Sequence, residues 1–457
     1  MANGESSDPD VDDDEGGGRA GIYVTIISLA VFGVLWALDG VNQSSIVRVA
    51  FLLSQVIVIS IIIWQACNPF ADAAQWIGTA FKLPGSVRGA TLDAIASSIP
   101  ELFTGIFFVI VAVVGFQGSA DELAVRAADG YGAIVATCAG SAVYNMILIP
   151  AFCALVVSFK RKNRPTIDVE REVITRDGLW FVGCSIILII FLFQPAMHWW
   201  MGVILLVAYV VYVAMLYTHA RQFRRSMKAV EAHLATEGAP LEANEIIEHF
   251  AETETKVTAE MLERARKGSS DEDGDDESAG FFFGLINVPL NHLTVWIVIG
   301  LSTALAAVAC YWLVEVTHEM ATAIGVPIFF VAVIMVAAAS SVPDTFLAIG
   351  AAKRGDDSGA VSNAFGSNIF DICISLSIPL LVMSSLLDWQ PVSLTQNGKP
   401  MAGLVDLRVL LVVLTAITLA IMWHKRQITR LKALILCGLY ALFLAYAVIG
   451  SLGYTIF

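Results

Sequence analysis

Charge is what this chain has least of. Only 15% of its 457 residues are charged, and most of the excess sits in two places. Met1 to Arg19 holds seven acids and one base, and Thr218 to Gly280 holds fifteen acids and eight bases. Together they carry −13 of the net −14, so the remaining body is nearly neutral. Cysteine is sparse too: Cys67, Cys138, Cys153, Cys184, Cys310, Cys373 and Cys437 all lie in or beside apolar segments. There is no Cys-x-x-Cys pair and no disulfide framework, which excludes a zinc ribbon or a stapled secreted domain and leaves the thiols as small packing residues. No secretory signal is expected either. The N-terminus is acidic rather than basic, and the first apolar run, Ile22 to Leu38, has no small-residue cleavage site, so it is expected to persist as a helix.

What the chain has in abundance is hydrocarbon. It is 57% hydrophobic with a mean hydropathy of +0.73, and apolar runs long enough to cross a bilayer recur from end to end. Eleven spans are expected, near 21–38, 47–66 (or on to 81), 86–115, 131–158, 179–195, 198–217, 291–314 (or on to 324), 326–351, 358–386, 404–424 and 430–455. Base-rich loops alternate with base-poor ones. With eleven spans, Lys82 and Arg88, Lys160 to Arg176, Arg221 to Lys228, Lys353 and Arg354, and Lys425 to Lys432 all fall on one side. By the positive-inside rule that side is the cytoplasm, with the N-terminus inside and the C-terminus outside.

The chain then divides into an acidic cytoplasmic tail (1–19), an extra N-terminal transmembrane helix (20–38), a first five-helix repeat (47–217), an acidic cytoplasmic linker (218–284) and a second five-helix repeat (285–457). Part of the linker, Ala259 to Lys267, has helical composition. Its acidic run, Ser269 to Glu277, lacks the spacing of a calcium-binding helix-loop-helix and reads as a solvated connector.

Two phrases recur inside apolar spans. Ser97-Ser98-Ile99-Pro100-Glu101 returns 243 residues later as Ser340-Ser341-Val342-Pro343-Asp344. Gly140-Ser141-Ala142-Val143-Tyr144-Asn145 returns 226 residues later as Gly366-Ser367-Asn368-Ile369-Phe370-Asp371. The span of Glu101 runs outward and that of Asp344 inward, so the repeat is inverted, a layout that puts a site at the midplane between the halves. An acid in hydrocarbon is costly and marks function. The expected fold class is therefore an all-α polytopic membrane protein of two inverted five-helix repeats plus one extra N-terminal transmembrane helix, with the lipid bilayer as its surroundings.

The residue types at the repeat point to a hard cation. Pro100 and Pro343 each remove a backbone donor, so both spans are expected to be broken there, exposing carbonyls. Ser97, Ser98, Ser340 and Ser341 lie within about one turn of the acids, and carboxylates, hydroxyls and carbonyls are oxygen ligands suited to calcium and sodium. No Cys or His stands beside either acid, which disfavours a soft metal. Ser141 with Asn145, and Ser367 with Asp371, are four apart and share a helix face, while Gly140 and Gly366 permit close approach. Glu101, Asp344 and Asp371 are expected to meet, and their charge is balanced by calcium plus one monovalent cation or by three sodium ions. Asp93, eight residues before Glu101, either lines an entrance or pairs with Arg88. Glu315, His318 and Glu319 read as interfacial.

At these residues the chain resembles the cation/calcium exchanger superfamily and is most similar to the potassium-dependent sodium/calcium exchangers. The segments that carry the resemblance are Gly89-Ala90-Thr91, Pro100-Glu101-Leu102-Phe103-Thr104, Gly140 to Asn145, Pro343-Asp344 and Gly366 to Asp371, within about 85–160 and 326–386. The resemblance implies the sodium/calcium exchanger fold and electrogenic calcium extrusion driven by sodium entry, by alternating access. It implies Glu101 and Asp344 as central ligands, hydroxyls from Ser97, Ser98, Ser340 and Ser341, backbone carbonyls from Ala94 and Ala337, and Ser141, Asn145, Ser367 and Asp371 completing the sites. In this superfamily an Asp at the position of Asp371 accompanies potassium dependence in animal exchangers. The chain departs from the usual pattern at Asp93, at Ala96-Ser97-Ser98 and Ala339-Ser340-Ser341, and at Thr137.

The alternative is a proton/calcium antiporter, although the Gly-Asn-x-x-Glu phrases of that class are absent. An intramembrane aspartyl protease lacks its Gly-x-Gly-Asp phrase, and the inverted repeat argues against a channel. The reading is thus a carrier rather than an enzyme, in a plasma or cell membrane, with no cofactor and no nucleic-acid partner. Its partners are calcium, sodium and, through the resemblance, potassium ions, and its oligomeric state is left open.

Overall fold

In hydrocarbon a backbone must satisfy its own hydrogen bonds, and a helix does so within one segment. The computed structural model describes residues 18–41, 44–161, 165–237, 278–396, 399–401 and 403–452. Among them are eleven helices long and apolar enough to cross a membrane. They are α1 (Gly18–Val41), α2 (Ser45–Ala80), α3 (Gly85–Val113), α4 (Ala120–Lys160), α5 (Arg171–Leu192), α6 (Trp199–Glu237), α7 (Thr294–Ile324), α8 (Ile328–Lys353), α9 (Asp357–Leu386), α10 (Leu404–Trp423) and α11 (Arg430–Ser451). Helix α1 lies at the periphery against α2, where Phe32 stacks on Phe51 at 5.6 Å. Its other side, with Tyr23, Ile27, Val34 and Trp36, is exposed. Helices α2–α6 and α7–α11 form the two inverted repeats.

The acidic tail and 238–277, with Ala259 to Lys267, lie outside the described residues. Helix α6 does not stop at 217 but continues to Glu237. Residues 218–237 contain no Gly or Pro and are rich in Ala, Arg, Lys and Glu, all good helix formers. A hairpin of Ser278–Phe281 and Ile286–Pro289 follows and docks on α2. There Gly280 N–H donates to Asp72 Oδ2 at 3.0 Å and Phe283 N–H to Gln65 Oε1 at 2.7 Å.

Helices α3, α4, α8 and α9 form the buried centre. Small residues let them close up. A Cβ on Gly140 of α4 would come within 2.4 Å of the Val333 carbonyl oxygen on α8, and one on Gly366 of α9 within 2.6 Å of the Ala90 carbonyl oxygen on α3. The offsets of 243 and 226 map one contact onto the other, so the sequence repeat is also a packing repeat. Two short ladders repeat element for element, although not at those offsets. Ile167–Asp168, between α4 and α5, pairs with Gln427–Ile428, between α10 and α11. On the opposite face, Ala196–Met197, between α5 and α6, pairs with Val392–Ser393, between α9 and α10.

The break expected at each proline appears at Pro343 but not at Pro100. Pro100 sits inside a continuous helical stretch, Ala94–Val113. The distortion comes earlier, as a π-helical turn over Gly89–Asp93. Helix α8 carries the same π turn at Ala332–Val336, offset by 243, and only this copy also breaks, at Ser341 just before Pro343. A proline forfeits one hydrogen bond, which a helix held between neighbours can absorb. π turns widen a helix at the point where function needs room.

Candidate cation-binding site

The site forms where the four central helices cross. Helix α3 brings Ser97, Ser98 and Glu101, α8 brings Ser340, Ser341 and Asp344, α4 brings Ser141 and Asn145, and α9 brings Ser367 and Asp371. All ten side chains have 0% exposure, so the cluster is sealed from both faces.

Ser141 is its hub. Its hydroxyl lies 3.3 Å from Glu101 Oε1, 2.9 Å from Asp371 Oδ2 and 2.9 Å from Ser341 Oγ, and accepts from Asn145 Nδ2 at 3.3 Å. Ser341 Oγ also reaches Glu101 Oε1 at 3.5 Å. Asn145 Nδ2 reaches across the repeat interface to Asp344 Oδ2 at 3.4 Å. Asp344 Oδ1 accepts from Ser367 Oγ at 2.6 Å and from Asn363 Nδ2 at 3.5 Å. Ser367 Oγ in turn lies 3.5 Å from Ser97 Oγ. The bonds Ser141–Glu101 and Ser367–Asp344 are counterparts under the repeat.

The three acids therefore meet through hydroxyls and an amide rather than directly. Among the described residues no three His, Cys, Asp or Glu side chains converge closely enough to hold a metal alone. Like charges keep apart, and the short Ser and Asn side chains fill the space between them. No Lys, Arg or His among the described residues comes within ion-pair distance of Glu101, Asp344 or Asp371. Glu101 Oε2, Asp371 Oδ1, Asn145 Oδ1 and Ser98 Oγ have no hydrogen-bond partner. Buried oxygens without donors are costly, and a hard cation is the partner their chemistry fits.

Not every expected ligand faces this network in the same way. Ser97 Oγ donates to the carbonyl of Asp93 at 2.8 Å and lies 3.3 Å from that of Ala94; Ser340 Oγ does the same to Val336 at 2.9 Å and Ala337 at 3.3 Å. The carbonyls of Ala94 and Ala337 thus each lie beside a local hydroxyl whose shorter bond goes to the preceding carbonyl. The reading of the sequence missed Asn363, which is one turn before Ser367. Its signal was there: the 226 offset places it opposite Thr137, already conspicuous as a departure. It also missed Asp177 on α5, fully buried, which accepts from Arg176, from Tyr212 Oη at 3.1 Å and from Ser362 Oγ at 3.1 Å. That knot ties α5 and α6 to α9 one residue from Asn363. Asp93 pairs with Arg88 at 3.1 Å, one of the two expected arrangements.

The profile described as "Sodium/calcium exchanger protein" matches residues 51–218 and 294–449. The chain is 32% identical over 143 residues to the human sodium/potassium/calcium exchanger 2, a match spanning 31% of this chain and 21% of that protein. It is 32% identical over 122 residues to the Bos taurus sodium/potassium/calcium exchanger 1, spanning 27% and 10%. The curated relatives are thus matched over about a fifth of their length or less. Its fold is similar to solved structures of the sodium-calcium exchanger NCX_Mj. With the form soaked in 100 mM sodium and 10 mM strontium the TM-score is 0.50 at 16% identity, over 87% of this chain and 98% of the other. The form soaked in 10 mM sodium and zero calcium gives 0.50 at 15%, over 87% and 99%.

Proposed function

The chain belongs to the sodium/calcium exchanger protein family, and from that premise we propose that it exchanges sodium for calcium across a membrane by alternating access, with potassium as a co-transported ion. The observation that carries this reading is the buried set of Glu101, Asp344 and Asp371, drawn from both repeats with no base among the described residues to compensate it. Desolvating such charges costs several kcal/mol per ion unless counter-charge is supplied, and transported cations supply it. Ser97, Ser98, Ser340, Ser341, Ser141, Ser367 and Asn145 complete the oxygen shell, with the carbonyls of Ala94 and Ala337 at its edge. Relatives named sodium/potassium/calcium exchangers support the choice of ions.

The carrier is the pair of repeats, 47–217 and 285–457. The base-rich face is cytoplasmic, 218–284 is the connector on that side, and the protein works in a cell membrane as a transporter, not an enzyme. The test is radiolabelled calcium uptake into vesicles holding the purified full chain, with sodium, potassium and proton gradients imposed separately. An outward sodium gradient should drive uptake, and inward potassium should raise it. Uptake driven by protons but not by sodium would overturn the reading in favour of a proton/calcium antiporter.

A further inference from the structure

The repeat relation is close but not complete, and its largest failure is electrostatic. Residues Gly85–Arg88 and the π turn Gly89–Asp93 map by 243 onto Ile328–Val331 and Ala332–Val336, and even the preceding Pro84 maps onto Pro327. Because the repeat is inverted, these two segments guard opposite mouths of the same site. On the base-rich face, Arg88 Nε lies 3.1 Å from Asp93 Oδ2 and its Nη2 lies 2.9 Å from Asp356 Oδ2. Asp356 belongs to the other repeat and caps α9, its Oδ1 accepting from Gly359 N–H at 2.7 Å. The cradle is built for this contact. A Cβ on Gly78 would come within 2.7 Å of the Arg88 stem, and one on Gly85 within 2.6 Å of the Asp356 carboxylate. Arg354 is close to Asp93, and Arg176, paired with Asp177, donates to the Ser86 carbonyl at 3.4 Å.

At the opposite mouth the positions equivalent to Arg88, Asp93, Asp356 and Gly85 are Val331, Val336, Gly130 and Ile328. That entrance is packed with Phe329 and Phe330, edge to face at 5.5 Å, against Gly403 and Gly450.

We propose that Arg88 is a positioning residue, a charged latch between the repeats that holds the base-rich mouth shut, while the equivalent positions at the other mouth, Val331 and Val336, close it by apolar packing. The inference rests on the exchanger reading for its purpose, since a carrier must open each mouth in turn. Its physical content is that one gate responds to ionic strength and the other does not. Charge-assisted bonds at a partly wet site weaken with salt, whereas burial of Phe and Val is strengthened or unaffected.

The test uses amide hydrogen exchange on the purified full chain, read over 85–101 and 356–363 for one mouth and 328–344 for the other. Arg88→Gln should speed exchange in the first pair of segments by about fivefold or more and leave 328–344 unchanged. Asp93→Asn, which keeps the bond to Asp356, should give a smaller change, and Arg88→Lys should restore part of the protection. In the unsubstituted protein, salt should loosen only the first mouth. No change in Arg88→Gln, or equal loosening of both mouths, overturns the latch. Calcium flux in vesicles is measured alongside: if the unsubstituted protein carries none, the exchanger reading fails while the exchange data still judge the latch.

Discussion

Ser141 carries one proton and faces three oxygens, on Glu101, Asp371 and Ser341. It can donate to only one at a time, and although the Ser341 hydroxyl can donate to Glu101 in its place, two hydroxyl protons do not neutralise two carboxylates, which want a positive partner. Asp371 is the most detachable acid of the three. It touches the network only through Ser141 among the described contacts, and its counterpart in the first repeat is an amide, Asn145. Asp371→Asn should therefore abolish potassium stimulation of calcium uptake while leaving sodium-driven uptake within about twofold, read by titrating potassium in the vesicle assay. Complete loss of uptake would make Asp371 a primary ligand instead. At this scale the acids and serines were legible because each phrase is out of place in hydrocarbon and occurs twice. Asn363 was not, because an Asn one turn from a motif is unremarkable until the repeat is extended beyond it. The tie between Arg88 and Asp356 crosses 268 residues, and no spacing announces it.

The helices themselves were read from apolar run length, and all eleven stand where the hydropathy places them. Their ends were less legible. Hydropathy stops at 217, but helix propensity does not, so α6 continues to Glu237. The π turns left no trace in composition: Gly89–Asp93 and Ala332–Val336 share neither charge nor size. What the elements do share is closeness at one glycine each. Gly366→Ala should drive a methyl group into the Ala90 carbonyl and push α9 from α3, lowering the melting temperature and the rate of calcium uptake together. Gly33→Ala, with nothing within 4 Å, should leave both unchanged or raise stability by up to about 1 kcal/mol through helix propensity. Thermal unfolding of the two variants in the same detergent checks the contrast; equal losses would mean that the close approach is not structural.

For the molecule as a whole, ion binding should appear as stability. A ligand at 100 times its Kd stabilises the native state by about 2.7 kcal/mol. Calcium should raise the melting temperature of the purified protein, and sodium should do so at higher concentration. Glu101→Gln should lose the calcium response yet unfold no earlier than the unsubstituted protein in ion-free buffer, because one uncompensated charge is gone. A full calcium response in Glu101→Gln would remove that residue from the site. That no base among the described residues stands beside the three acids has a broader consequence. A pocket that supplied its own lysine could close around nothing and travel home idle. Under the exchange proposed above, this one has no such ballast among its described residues, so neither passage across the bilayer should be made unladen, and what is taken out should be matched by something brought in.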